Sequence, residues 1–537
     1  MWTPESKRAR NWFYRSVKTS RGLRNYLDLL QRRHGPTPRS WWYESKPVAW
    51  IFNHVNRIIE DSVATLDKST AQIITEFEMS QLEKVGPQGD VPPIKELLPE
   101  IQESFGVKAI PRLFSDPLWK EAKQDALKYI VDEIGPGYVK PLTPEEVVDK
   151  MRSERKLATN SGIPDFTRRN RVIDRALEFA RLGTWKGIPA IALLRNYRLK
   201  TRLVWMYPFC ANIVEAQFAM PLKERIVESN LNFFTCWRGY EDVKQRISKH
   251  YNTGEFLAAS DFSKTDQTFT IHHSREVFDV ISQLFQPKDR DSLWATIENM
   301  HKIPLIVSKD RMLQGVHGVS SGSEWTNDIE TYFDFIFSIY CTKKGLCTEP
   351  SMAIGDDICW RVKESDLESF PQRLETTAKE AGLNVNAEKV TSNASYVKFL
   401  QRIHIKGYNT DQTVSVKGKD YPIIRGIYSL NRATNSKIYP ERFHRVWNGM
   451  LFVLRDLSID QNCVDHPGFI PFMIFTFGGS RHFREFFETM SNTEISKLQG
   501  QSRDIPGFYP TYNQSRKKDD ATEWDSIAVG RKFFNAQ

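Results

Sequence analysis

The sequence predicts an α+β fold, with hairpin strands set among helices in a chain of several domain-sized units. Three observations carry that expectation. Residues 353–360 read Ala-Ile-Gly-Asp-Asp-Ile-Cys-Trp, two short apolar runs meeting at a Gly-Asp turn, which is a β-hairpin signal. In residues 198–205, cations at Arg198, Lys200 and Arg202 alternate with Leu199, Thr201 and Leu203, the period of a strand. Helical spacing appears at Val48, Ile51, Val55, Ile58 and Ile59, and Thr143-Pro144-Glu145-Glu146 is a capping box with proline at the first helical position.

The chain has 537 residues, 40% hydrophobic and 12% aromatic, which is enough for large cores and excludes a disordered protein. A length of this order suggests roughly three to four domain-sized units. The formal net charge of +9 suits a polyanionic partner without requiring one. Six cysteines (210, 236, 341, 347, 359 and 463) have no C-x-x-C spacing, so no disulfide framework or zinc site is expected, and the expected compartment is reducing. No apolar run has membrane-spanning length, and the N-terminal residues lack a signal-peptide core.

Residues 7–33 carry nine Lys and Arg against Asp28, interleaved with Trp12, Phe13, Tyr14, Tyr26 and leucines. One or two amphipathic basic helices are expected, closed by Gly35-Pro36. Either they contact RNA or another partner, or they pack on the body with a solvated basic face; an organelle-targeting peptide is a third reading. Residues 45–85 read as helix. Gly86–Pro93 and Gly135-Pro136-Gly137 read as breaks, and a helix is expected from the capping box towards Arg155. A turn cluster at 160–164 precedes Arg168, Arg169 and Arg171. In the basic run that follows, three cations on one strand face repel each other unless an anion sits there, which favours phosphate binding over a merely solvated face.

The chemistry-bearing blocks come next. The apolar run Phe256–Ala259 leads to Asp261, as a buried strand delivering a carboxylate at its end would, and Asp266 follows across a turn. Two-metal phosphoryl transfer needs carboxylates from separate strands around ions about 3.5–4 Å apart, and Asp261 and Asp356 are the natural pair. A turn tip is also a good place to present oxygen ligands to magnesium, although a Gly-Asp-Asp triplet can be an ordinary acidic turn. Between them lies a Gly/Ser-rich loop, residues 314–327, whose glycines would let a ligand approach the backbone. Ser321, Thr326 and Asn327 offer hydrogen bonds to sugar hydroxyls, and a helix is expected over 328–339. After the hairpin, 367–381 reads as helix ending at Gly382. Asn386–Lys389 follows, and then a strand over 396–402 in which Arg402 can be simply exposed.

A basic strand, Asp-x4-Asp, Ser-Gly-x3-Thr-Asn, Gly-Asp-Asp, a lysine and Phe-Leu-x-Arg, in that order, resemble the motif series of viral RNA-dependent RNA polymerases. With the turn at 161–164 the resemblance covers residues 160–402. Length and the basic N-terminal arm are most similar to the polymerases of picobirnaviruses, which are double-stranded RNA viruses, with partitivirus polymerases next. The resemblance implies a right-hand fold with an antiparallel palm sheet and mainly helical fingers and thumb. It implies an N-terminal arm over 1–75 bridging fingers and thumb, fingers at 76–206 and 298–319, palm at 207–297 and 320–412, and thumb at 413–537. Phe469, Phe472 and Phe475 are expected in the thumb core, and 510–525 as a polar surface loop.

The same resemblance implies roles. Asp261 and Asp356 bind two Mg2+ ions, which Mn2+ can replace, with Asp357 assisting. Arg198, Lys200 and Arg202 hold the triphosphate. Asp266 and Asn327 read the ribose 2′-hydroxyl, supported by Ser321 and Thr326. Lys389 protonates the leaving pyrophosphate, Ser161 and Gly162 guide the template, and Phe399, Leu400 and Arg402 support the primer end. The chain departs from many positive-strand virus polymerases at Glu330, where they have asparagine four residues after the threonine. Implied partners are template and product RNA, rNTPs and a viral capsid protein, in the virion interior and host cytoplasm, for replication and transcription of a viral RNA genome. The alternatives are a reverse transcriptase, which Ile354-Gly355 before the paired aspartates disfavours, and a non-catalytic RNA-binding or capsid-associated protein with a palm-like fold.

Overall fold

The computed structural model describes residues 4–154, 156–197, 199–416, 418–441, 450–495 and 524–537. Along the chain the strands are β1 (Ala190–Tyr197), β2 (Lys200–Met206), β3 (Phe256–Asp261), β4 (Leu305–Ile306), β5 (Met312–Leu313), β6 (Pro350–Ile354), β7 (Asp357–Val362), β8 (Thr391–Ser392), β9 (Tyr396–Phe399), β10 (Arg402–Ile405), β11 (Asn409–Val416), β12 (Lys419–Ile424) and β13 (Ile427–Tyr428). They form sheets ordered β6-β7-β3-β8, β2-β1-β4-β5 and β13-β10-β9, with β11-β12 as a separate hairpin.

The β6-β7-β3-β8 sheet is antiparallel throughout and covered on both faces. Ala258, Ile358 and Trp360 pack towards the helices Pro117–Ile134 and Thr326–Lys343. Leu257, Ala259, Met352 and Cys359 pack against Tyr240, Val243 and Ile247 of the helix Tyr240–Asn252. Two covered faces explain why residues 256–259 are apolar without alternation.

Two further cores lie on either side. Phe13, Leu23, Leu27 and Leu30 join β1 and β2 in one. Trp42, Ile51, Val55, Ile74 and Phe77 join Ile403, Leu430, Phe469, Phe472 and Phe475 in the other. The N-terminal segment therefore packs its first helices on the β1–β2 sheet and its next two on the C-terminal helices. Gly86–Val91 crosses between them.

Most expected elements are present. Basic helices span Pro4–Thr19 and Arg21–Leu30, with Ser20 capping the second, and the Thr143/Glu146 capping box opens the helix Pro144–Ser153. All six cysteines are free and buried. Among the described residues, no helix is long and apolar enough to cross a membrane.

Several boundaries are corrected. The 45–85 helix is two helices, Val48–Val63 and Lys68–Leu82, because Asp67 accepts the Thr70 N–H and starts a new one. The 328–339 helix runs from Thr326 to Lys343, and the 367–381 helix is Phe370–Glu380. The basic run is not one strand: β1 and β2 form a hairpin in which Tyr197 pairs with Lys200 and Leu199 has φ 65°. Arg198 lies outside the described residues, as do residues 510–523 of the expected polar loop. The 396–402 strand is also a hairpin, turning at Leu400 and Gln401, both at positive φ.

Candidate active site

Gly355 and Asp356 form the two-residue turn between β6 and β7, with Ile354 paired to Asp357. Gly355 has φ 58°, the left-handed conformation required at the first central position of such a turn. Its N–H donates to Thr331 Oγ1 (2.8 Å), which ties the turn to the helix Thr326–Lys343. The neighbouring β3 brings Asp261 opposite Asp357, and the Phe262 N–H donates to the Asp356 carbonyl (3.1 Å). Trp360 Nε1 donates to Ser260 Oγ (2.8 Å) and helps hold that register. Three carboxylates thus converge at one end of two adjacent strands.

Their electrostatics record the crowding. Desolvation and the Asp261 charge raise the Asp356 carboxyl above its ordinary range, against the pull of Arg202. Asp357 is held well above its range by burial and by Asp356 and Asp261. Two more acids stand behind them on the Thr326–Lys343 helix. Glu330, 7% exposed, is raised well above its range by burial, Asp356 and Asp266. Asp334, 1% exposed, is raised by burial, Glu330 and the paired aspartates. Like charges this close disfavour each other's ionised form. Among the described residues no three His, Cys, Asp or Glu side chains form a ready-made metal cage. The oxygen donors of Asp261 and Asp356 are of the kind that suits magnesium, which is bound through one or two carboxylates together with substrate phosphates and water.

Lys200 and Arg202 of β2 are exposed. The hairpin tip is tied down by Leu199 N–H donating to the Gln88 carbonyl (2.9 Å) and by the Arg195–Glu441 ion pair. Asp266 lies in the short helix Thr265–Thr268. Its N-cap is Lys264, at φ 55°, so Asp266 is inside the first turn and is not the cap. Desolvation and then Glu100 raise its carboxyl, opposed by Lys264 and Arg202. Asn327 faces the Gly355–Asp356 turn, since a Cβ at Gly355 would lie 2.6 Å from its Nδ2. Lys389 is exposed on the turn Ala387–Lys389. Thr391 pairs with Ala259 in antiparallel register, so the chain leads back from Thr391 to Lys389 as β3 advances to Asp261. Lys389 therefore lies at the carboxylate end of the sheet.

The Gly/Ser loop differs from expectation. Its glycines admit protein backbone: a Cβ at Gly318 would lie 2.7 Å from the Asp266 carbonyl carbon, and one at Gly322 would lie 2.9 Å from that of Trp205. Thr326 Oγ1 donates to the Ser320 carbonyl (2.7 Å), and Ser321 Oγ accepts from the Trp205 N–H (3.4 Å). Both hydroxyls thus hold the loop's shape. Sequence reasoning missed two further residues, Asn212 and Glu215 on the helix Phe209–Glu228. Glu215 accepts from Ser323 Oγ (2.7 Å), Glu324 N–H (2.9 Å) and Asn212 Nδ2 (3.3 Å). Burial pushes its carboxyl up to about 8. Its only sequence signal was an acid within the apolar first half of a helix.

Five residues expected to contact RNA lie in the interior. Ser161 and Gly162 are buried, with the Phe209 N–H donating to the Ser161 carbonyl (2.8 Å) and Gly162 at φ 67° packed on the Tyr207 backbone. Phe399 and Leu400 are core residues. Arg402 is 2% exposed, its guanidinium 3.6 Å from the Tyr240 ring centre and Nη2 donating to Asn462 Oδ1 (2.7 Å).

Residues 198–432 match a family described as viral RNA-dependent RNA polymerase. A potential RNA-dependent RNA polymerase of human picobirnavirus (strain Human/Thailand/Hy005102/-) is 26% identical over 444 residues, 76% of each chain. An RNA-directed RNA polymerase of Cryptosporidium parvum virus 1 (strain KSU-1) is 25% identical over 213 residues, 37% of this chain and 39% of that one. The crystal structure of a human picobirnavirus RNA-dependent RNA polymerase superposes with a TM-score of 0.77 at 21% identity, covering 97% of this chain and 98% of the other. An insertion-loop deletion mutant of such an enzyme gives 0.75 at 22% identity, covering 92% and 99%.

Proposed function

We infer that this chain, an RNA-dependent RNA polymerase of viral type with the right-hand fold, extends RNA on an RNA template by two-metal nucleotidyl transfer from rNTPs. The observation that carries the mechanism is the meeting of Asp261, Asp356 and Asp357 at the ends of two paired strands, where Asp261 raises the Asp356 carboxyl and both Asp356 and Asp261 raise that of Asp357. Asp261 and Asp356 would hold two Mg2+ ions, and Asp357 adds negative charge behind them. When bound, such ions activate the attacking hydroxyl and neutralise charge that develops on the phosphates.

The chain's own residues supply the rest of the reading. Lys200 and Arg202, with Arg198, bind the triphosphate as cations beside an anionic centre. Asp266 and Asn327 read the ribose 2′-hydroxyl, and Ser321 and Thr326 act on that site by holding the loop. Lys389, at the same end of the sheet, donates the proton that the departing pyrophosphate needs. The division into N-terminal arm, fingers, palm and thumb and the genome-copying role inside a particle are carried over from the resemblance. The test is incorporation by the purified protein on an RNA template with Mg2+ and either rNTPs or dNTPs. Incorporation of rNTPs alone supports the reading, dNTP incorporation points to a reverse transcriptase, and no incorporation of either rejects catalysis.

A further inference from the structure

We propose that Asn212 and Glu215 are positioning residues that lock the segment of residues 160–169 and the loop of residues 320–324 into one rigid unit. This rests on the polymerase reading above. Both residues lie on the helix Phe209–Glu228, and both are essentially inaccessible to solvent.

A buried carboxyl and a buried amide are costly unless their hydrogen bonds are made. Here they are made to two segments distant in sequence. On one side, Arg169 Nη2 donates to Asn212 Oδ1 (2.7 Å), while its guanidinium rests 5.0 Å from the Phe209 ring centre. The same segment is pinned by the Phe209 N–H on the Ser161 carbonyl. On the other side, Asn212 Nδ2 donates to the Gly322 carbonyl (3.0 Å), and Glu215 accepts from Ser323 Oγ and the Glu324 N–H. Further along the helix, Lys223 Nζ donates to Asp328 Oδ1 (2.7 Å), one residue beyond Asn327.

The loop it holds has little slack. Gly322 is pressed on the Trp205 backbone, Tyr207 and Ser320 share a hydrogen bond, and Gly318 lies against Asp266. Thr326, whose hydroxyl bonds the Ser320 carbonyl, begins the helix that presents Asn327 to the Gly355 turn. A shift of Ser323 and Glu324 is therefore passed to Asn327 and to Asp266. Helix Phe209–Glu228 sets the distance between residues 160–169 and the groups proposed to read the sugar. The arrangement assigns Glu215 a part in nucleotide binding without contact with the nucleotide.

The experiment compares Glu215→Ala, Glu215→Gln and Ser323→Ala in the full chain. Amide hydrogen exchange reads the loop, melting reads the fold, and steady-state incorporation on an annealed primer–template reads KM and kcat. In Glu215→Ala, exchange at residues 320–324 should accelerate. The rNTP KM should rise, kcat/KM should fall by about 10²-fold as for a misplacement of about 1 Å, and the rNTP/dNTP ratio should drop, with RNA affinity unchanged. Glu215→Gln keeps the shape and most of the bonds, so it should stay within about tenfold of wild type. Native exchange and native KM in folded Glu215→Ala would overturn the proposal. If Glu215→Ala does not fold, Ser323→Ala decides: it deletes the bond to Oε1 and the acceptor of the Trp325 N–H, so exchange is read at Glu324, whose N–H is on Glu215, and not at Trp325. Faster loop exchange supports the clamp, and unchanged exchange overturns it. A wild-type protein without incorporation would instead reject the polymerase mechanism, while exchange still reads the clamp.

Discussion

Gly318→Ala should impair nucleotide selection through a contact that involves no substrate. The added Cβ would lie 2.7 Å from the Asp266 carbonyl carbon and 3.3 Å from the Gln267 nitrogen. Carbon atoms rest about 3.5–4.0 Å apart, so loop and helix must separate by about 1 Å. Both sides are backbone, so no side chain can swing away. The Gly318 N–H is held by the Ser104 carbonyl (3.2 Å), and the adjacent His317 ring stacks on Trp205 at 4.5 Å. Overpacking of this kind costs about 1–3 kcal/mol of stability. Displacing Asp266 by about 1 Å should lower rNTP kcat/KM by about 10²-fold. Because a deoxynucleotide never used Asp266, dNTP incorporation should change far less, and the rNTP/dNTP ratio should fall. Single-nucleotide extension of an annealed primer, with melting recorded alongside, measures both. Gly35→Ala, which has open space around it, is the control and should be neutral. Native kcat/KM and a native ratio in Gly318→Ala would refute the reasoning.

Three other outcomes follow from burial and charge. Arg402→Met should lower stability in denaturant by about 1–3 kcal/mol, through loss of the bond to Asn462 and the stack on Tyr240, and leave RNA affinity intact; native stability with weakened RNA binding would return Arg402 to the RNA. Glu215 is raised from 4.5 to about 8 by burial and by the Glu324 charge, so its stabilising neutral form is complete below about pH 4.5 and is lost as pH rises through about 8. Glu215→Gln should therefore gain melting temperature relative to wild type on going from about pH 6 to about pH 9, and parallel curves would contradict this. Lys18 and Arg21 are exposed, so changing both to serine should spare stability and flatten the salt dependence of RNA binding by about 0.7 in log–log slope per lost phosphate contact; an unchanged slope makes these helices a clamp alone.

What could be read in advance was local. The Gly-Asp turn between apolar runs, the capping box at Thr143 and the two-faced apolar run before Asp261 each carry their cause within a few residues, and each is where it was expected. The misread turns have their causes elsewhere. Leu199 adopts φ 65° with its N–H on Gln88, far away in sequence, and Leu400-Gln401 turns without glycine or asparagine. Nothing near Arg402 announces Tyr240 or Asn462, so an arginine ending a strand read as exposed. The loop glycines were correctly read as sites of close approach, but the partner was the Asp266 and Trp205 backbone, which local sequence does not reveal. Glu330 stood out only as a departure from a motif, whereas its burial beside Asp356 follows from the packing of its helix.

The most direct test of the mechanism is Asp356→Asn. The change is isosteric and removes one negative charge at the turn where Asp261 and Asp357 also converge. Single-turnover rNTP addition to an RNA primer–template in Mg2+ should fall to background, because a metal-assisted transfer loses an anionic ligand at its centre. RNA affinity and melting temperature should stay at or above wild type, since desolvation disfavours the ionised carboxylate there. Addition at the wild-type rate in Asp356→Asn would contradict the two-metal assignment.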